Sequence, residues 1–599
     1  MIKKILFTII LLTANNSFAQ QQFKQHWSTL YPVGTNCWVN EIASPPFPQP
    51  PRIDTTRFRN TTIIPAYNKN TQHLLLVEEP FRAYTAPSPN PPPLKTHTKI
   101  LEFNENHNYI IENNLNVGDI ENMLYDNNNN LIIQGIEHTT LGPNRYLYKY
   151  SPNGTLTKIK NISGLSNKQS IAIDNQNNIY LLTRQHKSTV LSPSFFQSTG
   201  DQNTIINNQD VISKYDANGN HIWSTFYFNN QSNIWAIAAG TTGLYVYGVE
   251  LQTNSNSNYF GTANSHQPNA TGIISNGDVN SGRNVFLTKF GFDGKRIWST
   301  YYGPQISMVP MITTMKNLKP MEVVGDDVYI ITDHILPQGI NNKLNTANAA
   351  ISTTPDITNA KTLTKFSGTG TILWTSYLYD SETIYETPDK NLMLSGTNAS
   401  LANLPIATID AYQQQIKGLN DNITYVITPD GKNITYLSYF GDLHRENGIS
   451  IPSKNGYYVI GSTIDYPTKS SPFHTKNAKY TKLEIIDTWA GPFKYVGNFV
   501  TFLTNKMLSV EDHSLKNNND INCKVYPNPT SDILYIENEE ALSTNSYFVL
   551  FDINGKRLLE YKAIDSYKNN ISLEHLPTGV YILELQTGNQ KYQTKIIKK

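Results

Sequence analysis

The stretch KFGFDGKRIWST at residues 289–300 decides the fold, because it returns in register as KYDANGNHIWST at 214–225 and KFSGTGTILWTS at 365–376. In every copy a Gly follows the Lys by five residues and a Trp follows it by nine, giving the pairs Gly219 and Trp223, Gly294 and Trp298, and Gly370 and Trp374. Partial copies occupy 149–154, 426–436 and 27–29. Self-similarity at a fixed spacing is typical of repeat architectures, so the body of the chain is predicted to be a repeat protein.

A second recurring unit alternates with the first. It consists of two short apolar segments around a turn rich in Asn, Asp and Gly, at 63–77, 123–135, 171–182, 234–249, 323–331, 384–394 and 449–460. Such a pattern predicts a β-hairpin. Two hairpins make a four-stranded propeller blade. We therefore predict an all-β protein with a propeller of about seven blades over residues 20–510, in which the Trp side chains bury between neighbouring sheets and the Gly residues permit the turns.

The stretch from Thr262 to Gly303 combines a Thr-x-x-x-His-Gln segment with a Phe-Leu-x-Lys-Phe…Gly…Trp-x-Thr-Tyr-Tyr-Gly strand pair. A second copy of the first segment ends at Tyr412 and Gln413. This arrangement resembles the SBBP repeats, seven-bladed propeller repeats of exported Bacteroidetes proteins. The resemblance implies a propeller scaffold and assigns no activity to it.

Composition excludes several classes of protein. Lys and Arg number 48 against 47 Asp and Glu, so no overall field favours nucleic acid as a partner. The two cysteines, Cys37 and Cys523, are too few for a disulfide framework or a four-thiolate zinc site. They could pair where the ends of the body meet, or remain two free thiols.

The first residues have the pattern of a secretory signal peptide. Lys3 and Lys4 precede an apolar run at residues 5–12, and small residues Ser17 and Ala19 stand at the cleavage positions. We predict a signal peptide over 1–19, cleavage before Gln20 and passage through the Sec machinery. The apolar run is shorter than the ~20 residues of a membrane span, and we expect no transmembrane anchor.

The chain changes character after a polar linker predicted at 511–523. Residues 524–599 alternate in the manner of strands and predict a small antiparallel β-sandwich. Four motifs stand out there: Tyr526, Pro527, Asn528 and Pro529; Gly555 and Lys556; Gly579 and Tyr581; and a Lys-Ile-x-Lys ending that begins at Lys595. In this order they resemble the type A sorting domain of the type IX (Por) secretion system. The resemblance implies the type IX translocon as partner, and a secreted or outer-surface location reached through the periplasm.

Patterns for chemistry are sparse. The sequence has no His-Glu-x-x-His zinc motif, no Gly-x-Ser-x-Gly nucleophile elbow and no glycine-rich phosphate loop, so we predict no catalytic residue, metal or cofactor. The run from Asp216 to Asn220 has a calcium-loop spacing but lacks the later Glu, and a repeat turn explains it better. His266 and His444 are interpreted as loop residues.

These observations favour a monomeric, non-enzymatic binding or adhesion scaffold with a glycan or protein ligand. Long insertions at 181–211, 251–284 and 335–362 are where we expect the binding site, because long loops in compact domains often carry function. The alternative is a secreted hydrolase or lyase acting on polysaccharide. That alternative requires carboxylates about 5–10 Å apart at one mouth of the propeller.

Overall fold

The computed structural model describes residues 24–31, 64–78, 98–106, 109–139, 142–162, 169–229, 232–251, 258–270, 283–306, 319–335, 344–353, 359–397, 405–418, 420–442, 445–466, 473, 484–486, 494–504, 523–538, 541–542, 545–552, 557–565, 567–587 and 590–599. The chain divides into two compact units, Met1–Asn505 and Lys506–Lys599. Every regular secondary-structure element within the described ranges is a β-strand, so the all-β prediction is confirmed.

The first unit contains 29 described strands. Their bounds are β1 Lys24–Tyr31, β2 Pro65–Tyr67, β3 Leu74–Glu78, β4 Thr98–Phe103, β5 Tyr109–Leu115, β6 Asp119–Tyr125, β7 Leu131–Thr139, β8 Gly142–Tyr150, β9 Leu156–Ile162, β10 Ile171–Ile173, β11 Ile179–His186, β12 Asn208–Tyr215, β13 His221–Phe226, β14 Asn233–Ala239, β15 Leu244–Leu251, β16 Arg283–Phe290, β17 Arg296–Ile306, β18 Met321–Val324, β19 Asp327–Ile335, β20 Asn359–Phe366, β21 Ile372–Tyr377, β22 Thr383–Glu386, β23 Leu392–Thr397, β24 Asn422–Ile427, β25 Ile434–Phe440, β26 Arg445–Ser453, β27 Gly456–Tyr466, β28 Glu484–Ile486 and β29 Lys494–Thr504.

These strands form seven antiparallel sheets. Blades 1 to 6 each take four consecutive strands, from β2–β5 through to β22–β25, and blade 7 has the order β26-β27-β29-β1, with β28 beside β29. Within a blade the turns between strands 1 and 2 and between strands 3 and 4 lie at one end, the turn end. The insertions between strands 2 and 3 and the connections to the next blade lie at the opposite end, the loop end.

Apolar side chains join each blade to its neighbours. Seven buried clusters lie between blades 1 and 2, 2 and 3, 3 and 4, 4 and 5, 5 and 6, 6 and 7, and 7 and 1. The last cluster packs Leu76 and Phe103 of blade 1 against Ile451 and Phe502 of blade 7. Because the final blade packs on the first, the ring is closed, and the predicted seven-bladed propeller is confirmed.

The N-terminal strand completes blade 7. β1 pairs antiparallel with β29, from Lys24 opposite Thr504 to Tyr31 opposite Asn498. The Ser28 hydroxyl is buried, lies 2.6 Å from the Thr501 hydroxyl and donates to the Phe473 carbonyl. The isolated Trp-Ser-Thr at residues 27–29 is thus the outermost strand of the last blade, supplied from the other end of the chain.

Short pieces of the insertions cover the outer edges of blades 3 to 6. We call them edge segments, and they are residues 193–197, 262–267, 346–351 and 408–413. Each exchanges two backbone hydrogen bonds with the fourth strand of its blade; for example, the Thr262 N–H donates to the Ser299 carbonyl and the Tyr301 N–H to the Gln267 carbonyl. The Thr-x-x-x-His-Gln pattern therefore marks chain that closes a sheet edge which would otherwise be open to pairing with other chains.

The second unit is a two-sheet sandwich. Its strands are β30 Cys523–Tyr526, β31 Ile533–Asn538, β32 Tyr547–Asp552, β33 Arg557–Lys562, β34 Lys568–Ser572, β35 Gly579–Thr587 and β36 Gln590–Lys598. The sheets have the orders β30-β31-β34 and β33-β32-β35-β36. Leu534, Ile536, Phe548, Leu583 and Ile596 form the core between them. The predicted small antiparallel sandwich is confirmed.

Candidate functional site

The opening motif of the second unit contacts its last strand. The peptide bonds before Pro527 and Pro529 are cis, and Asn528 lies between them. The Asn528 side chain accepts a hydrogen bond from the Ile597 N–H at 2.9 Å and donates to the Lys595 carbonyl at 2.6 Å. The first and last motifs noted in the sequence are thus joined through one side-chain amide.

Two further residues hold the same strand. Thr530 exchanges backbone hydrogen bonds with Ile597 and Lys599, extending the sheet by a short parallel bridge. Lys598 is 6% exposed, and its ammonium group donates to the carbonyls of Leu573, Glu574 and Leu576. Together with Asn528 these contacts form what we call the C-terminal clamp. Lys598 belongs to the Lys-Ile-x-Lys ending noted in the sequence but was given no structural role there, although its position in phase with buried Ile596 indicates an inward side chain.

The remaining sorting-domain positions lie elsewhere. Gly579 begins β35, and Tyr581 is buried in the core with its hydroxyl donating to the Pro577 carbonyl at 2.6 Å. Gly555 and Lys556 lie outside the described residues. Cys523 has no disulfide partner in the described part of the chain, and burial raises the pKa of its thiol to about 12. Cys37 also falls outside that part.

In the propeller, the repeat Trp residues lie in outermost strands and reach the next blade. The indole N–H groups of Trp223, Trp298 and Trp374 donate to the carbonyls of Phe292, Gly368 and Pro429 at 3.1, 2.9 and 3.0 Å. Each acceptor lies in the turn between strands 3 and 4 of the following blade. The Gly residues of those turns have positive φ, and a Cβ at Gly294, Gly370 or Gly431 would lie 3.0 Å or less from an indole ring. Glycine is therefore favoured at these positions for two reasons, the positive φ of the turn and the close approach of the indole ring.

The repeat Lys and a Tyr complete each contact, and neither role was recognised in the sequence. Lys214, Lys289 and Lys365 lie over the rings of Tyr180, Tyr245 and Tyr329 at 5.3, 5.1 and 5.2 Å. The same Tyr rings lie 6.1, 6.2 and 6.0 Å from the repeat Trp rings. Two of the ammonium groups also donate to carbonyls of the next blade, at Phe292 and Gly368. The Lys-aromatic pair of the sequence is therefore part of the joint between blades.

Two carboxylates at the loop end, those of Asp210 and Asp421, hold the backbone in place. The Asp210 carboxylate accepts from the Arg184 side chain at 3.0 Å and from the Ile234 N–H at 2.8 Å, which fixes the connection to blade 4. Asp421 accepts from the N–H groups of Lys417 and Gly418, and burial raises the pKa of its carboxyl group. Asp210 thus anchors the backbone of a connection between blades, and Asp421 anchors that of an insertion.

One acidic pair at the loop end shares a cation. The Lys361 ammonium lies 2.7 Å from Asp380 and 3.9 Å from Asp333, whose side chain is 29% exposed. Burial raises the pKa of the Asp333 carboxyl group, and the charge of Lys361 opposes that shift. This cluster is the loop-end arrangement nearest to the acidic mouth that the enzymatic alternative requires.

Three other candidates from the sequence are Asp216, His266 and His444. Asp216 accepts hydrogen bonds from Asn218 and Asn220 within the repeat turn, and its hydrogen bond with the Asn220 side chain lowers the pKa of its carboxyl group. His266 lies in an edge segment, and burial lowers the pKa of its imidazole. His444 lies outside the described residues.

The described residues contain no group of three or more His, Cys, Asp and Glu side chains placed to hold a metal ion. Nor do those residues include a helix that is long and apolar enough to cross a membrane.

Comparison with known proteins identifies the second unit. Residues 524–599 match the family model described as "Secretion system C-terminal sorting domain". The protein is therefore exported by type IX secretion to the cell surface or the medium. No curated protein matches the chain.

Solved structures similar to the chain include propellers and enzymes. The Dos1 propeller shares 8% identity over 80% of this chain and 95% of its own, with a TM-score of 0.33. A quinohemoprotein alcohol dehydrogenase from Comamonas testosteroni shares 10% over 87% and 80%, with a TM-score of 0.32. Dipeptidyl peptidase 4 from Porphyromonas gingivalis shares 10% over 67% and 57%, with a TM-score of 0.29. The propeller assignment rests on the seven sheets and not on these likenesses.

Proposed function

We propose that the exported propeller is a monomeric, non-enzymatic binding or adhesion scaffold for a glycan or a protein. In this proposal the chain is a Bacteroidetes SBBP-type protein that enters the periplasm through Sec with a signal peptide over residues 1–19. The closed ring supports a binding role, because it presents its insertions from a rigid body.

The observation that carries the proposal is the use of the loop-end carboxylates. A glycosidase needs two carboxyl groups that face one substrate, one of them able to donate a proton. Asp210 and Asp421 instead accept hydrogen bonds from backbone N–H groups, and Asp210 also accepts from Arg184. Carboxylates held in this way fix the position of the backbone. This use of the acidic residues favours a scaffold over a catalyst.

The insertion at 181–211 offers the test. Val190 and Ile205 are 73% and 84% exposed, so their apolar side chains are accessible to a ligand. We expect the double variant Val190→Ser/Ile205→Ser to lose about tenfold in affinity for whichever immobilised glycan or extracellular protein on an array binds the exported wild type. Ile222→Ser, on strand β13 outside the insertion, is the matched control. Equal binding by the double variant and wild type would contradict the placement of the site.

A second candidate is the polysaccharide hydrolase or lyase. Asp333 favours it, since a carboxyl group with a raised pKa is what a general acid requires. Release of reducing ends from a polysaccharide by the exported protein, abolished in Asp333→Asn and kept in Asp293→Asn, would replace the scaffold proposal with this one. Asp293 is a suitable control because its side chain is 59% exposed and it lies in a repeat turn.

A further inference from the structure

The three-stranded sheet of the sorting unit has an unusual outer face. Strand β31 runs Ile533-Leu534-Tyr535-Ile536, with Leu534 and Ile536 buried in the core and Ile533 and Tyr535 45% and 44% exposed. Antiparallel strands with one face in solvent normally alternate apolar and polar residues. The first four residues of this central strand are therefore apolar on both faces, and Glu537 follows on the outer face.

The neighbouring strand enlarges the apolar area. Tyr526 of β30 is opposite Tyr535 in the register, is 43% exposed, and its ring centroid lies 5.9 Å from that of Tyr535. Ile533 is on the same face two residues before Tyr535. We call Tyr526, Ile533 and Tyr535 the aromatic face. Exposed apolar residues that lie side by side, unlike single ones, mark interaction sites, and Tyr is enriched at protein interfaces.

Charged groups border the aromatic face on one side. The Lys568 ammonium lies 2.9 Å from the Glu537 carboxylate, and Lys524 is the cross-strand neighbour of Glu537. The hydrogen bond between Tyr526 and Glu537 raises the pKa of the Tyr526 phenol and links this ring to the charged border. Asp565 also interacts with Lys568, so two lysines and two carboxylates give this border a balanced, polar character.

We propose that the aromatic face is the docking surface for the type IX translocon. Export by that machinery requires it to recognise residues within 524–599, so a protein partner for this unit exists. The C-terminal clamp supports the same core on which the face is built, because β36 and β31 both contribute to it. The partner that fits is a protein surface with an apolar centre and polar groups at one side. The inference is independent of what the propeller binds.

Export of the full-length chain tests the proposal. We expect Tyr526→Thr/Tyr535→Thr to lower the exported fraction at least about tenfold, since truncating central aromatic contacts commonly costs that much binding. Threonine keeps strand propensity, so the sheet should persist. Ile564→Thr is the control, because Ile564 is 97% exposed between β33 and β34 and belongs to neither sheet face. Normal export of the double variant would overturn the proposal.

Photo-cross-linking decides the case if the retained double variant proves protease-sensitive. Benzoylphenylalanine replaces Tyr535 in one otherwise wild-type full chain and Ile564 in another. The proposal predicts a cross-link from position 535 to an outer-membrane component of the translocon, identified by mass spectrometry and absent from position 564. A cross-link from 535 to a second copy of this chain, or equal translocon capture from both positions, would overturn it.

Discussion

Replacing Gly370 with Ala should measure how much the stability of the propeller depends on the close contact between a repeat glycine and the Trp of the preceding blade. Gly370 has a φ of +87°, and a Cβ there would lie 3.0 Å from the Trp298 ring. Gly154 has nearly the same φ, +85°, but its nearest neighbour would be the Tyr150 hydroxyl at 3.9 Å. An Ala would be in the same strained backbone conformation at both positions, but only at Gly370 would it also press against the Trp of the preceding blade.

The expected magnitudes follow from that difference. An L-residue in the left-handed region costs about 1–2 kcal/mol, so Gly154→Ala should lower the free energy of unfolding by about that amount. Gly370→Ala should add about 1–3 kcal/mol, because the new methyl group overpacks the indole. In a Trp298→Leu background the added cost should largely disappear, which makes the two sites coupled in a double-mutant cycle.

Urea unfolding of the exported protein, followed by near-ultraviolet circular dichroism, measures these terms. The midpoint and slope of each transition give the free energy of unfolding for wild type, both Gly variants, Trp298→Leu and the double variant. The reasoning is refuted if Gly370→Ala and Gly154→Ala differ by less than about 0.5 kcal/mol, or if Trp298→Leu leaves the cost of Gly370→Ala unchanged.

Three further predictions concern other contacts. Lys598→Met should destabilise the sorting unit by about 1–3 kcal/mol, because three carbonyls lose a donor, whereas exposed Lys599→Met should stay within about 0.5 kcal/mol in thermal unfolding. Ser28→Ala should cost about 1–3 kcal/mol and speed proteolysis at the N-terminus, since the Phe473 carbonyl is left without this donor; normal protease resistance would count against it. The raised pKa of Asp421 means that its folded carboxyl group prefers the proton, so its contribution to stability is greatest below the ordinary value of 3.8 and declines as pH rises through the folded pKa. The gap in unfolding free energy between wild type and Asp421→Asn should therefore move in favour of the variant as pH rises from about 3 to 7, and a pH-independent gap would disprove this assignment.

The sheets were predictable because their determinants are local. Alternation in the hairpins, the Asn- and Gly-rich turns and the fixed Gly-to-Trp spacing lie within single strand pairs, so the seven blades can be read along the chain. Even β1 was foreseeable, since Trp-Ser-Thr at residues 27–29 repeats the ending of a fourth strand.

The contacts between blades were harder to predict from the sequence. Tyr180, Tyr245 and Tyr329 meet the repeat Trp residues across insertions of different length, so no constant spacing links the two in the sequence. The edge segments of blades 4 to 6 share a Thr whose hydroxyl donates to a carbonyl of the fourth strand, but this Thr alone does not indicate which sheet edge the segment covers. Lys598 resembles any surface lysine until the turn carrying the Leu573 and Leu576 carbonyls is placed around it.

The pairing of β1 with β29 has a mechanical consequence. Lys24 is opposite Thr504, so the chain enters and leaves the ring at the same end of one strand pair. Tension between these two ends would separate that pair like a zipper, one hydrogen bond after another, which is the weakest way to load a β-ladder. A chain whose N-terminus is free bears no tension across the pair when it is drawn by its sorting unit. Release of the N-terminus before passage through the outer membrane would thus keep the ring shut under load.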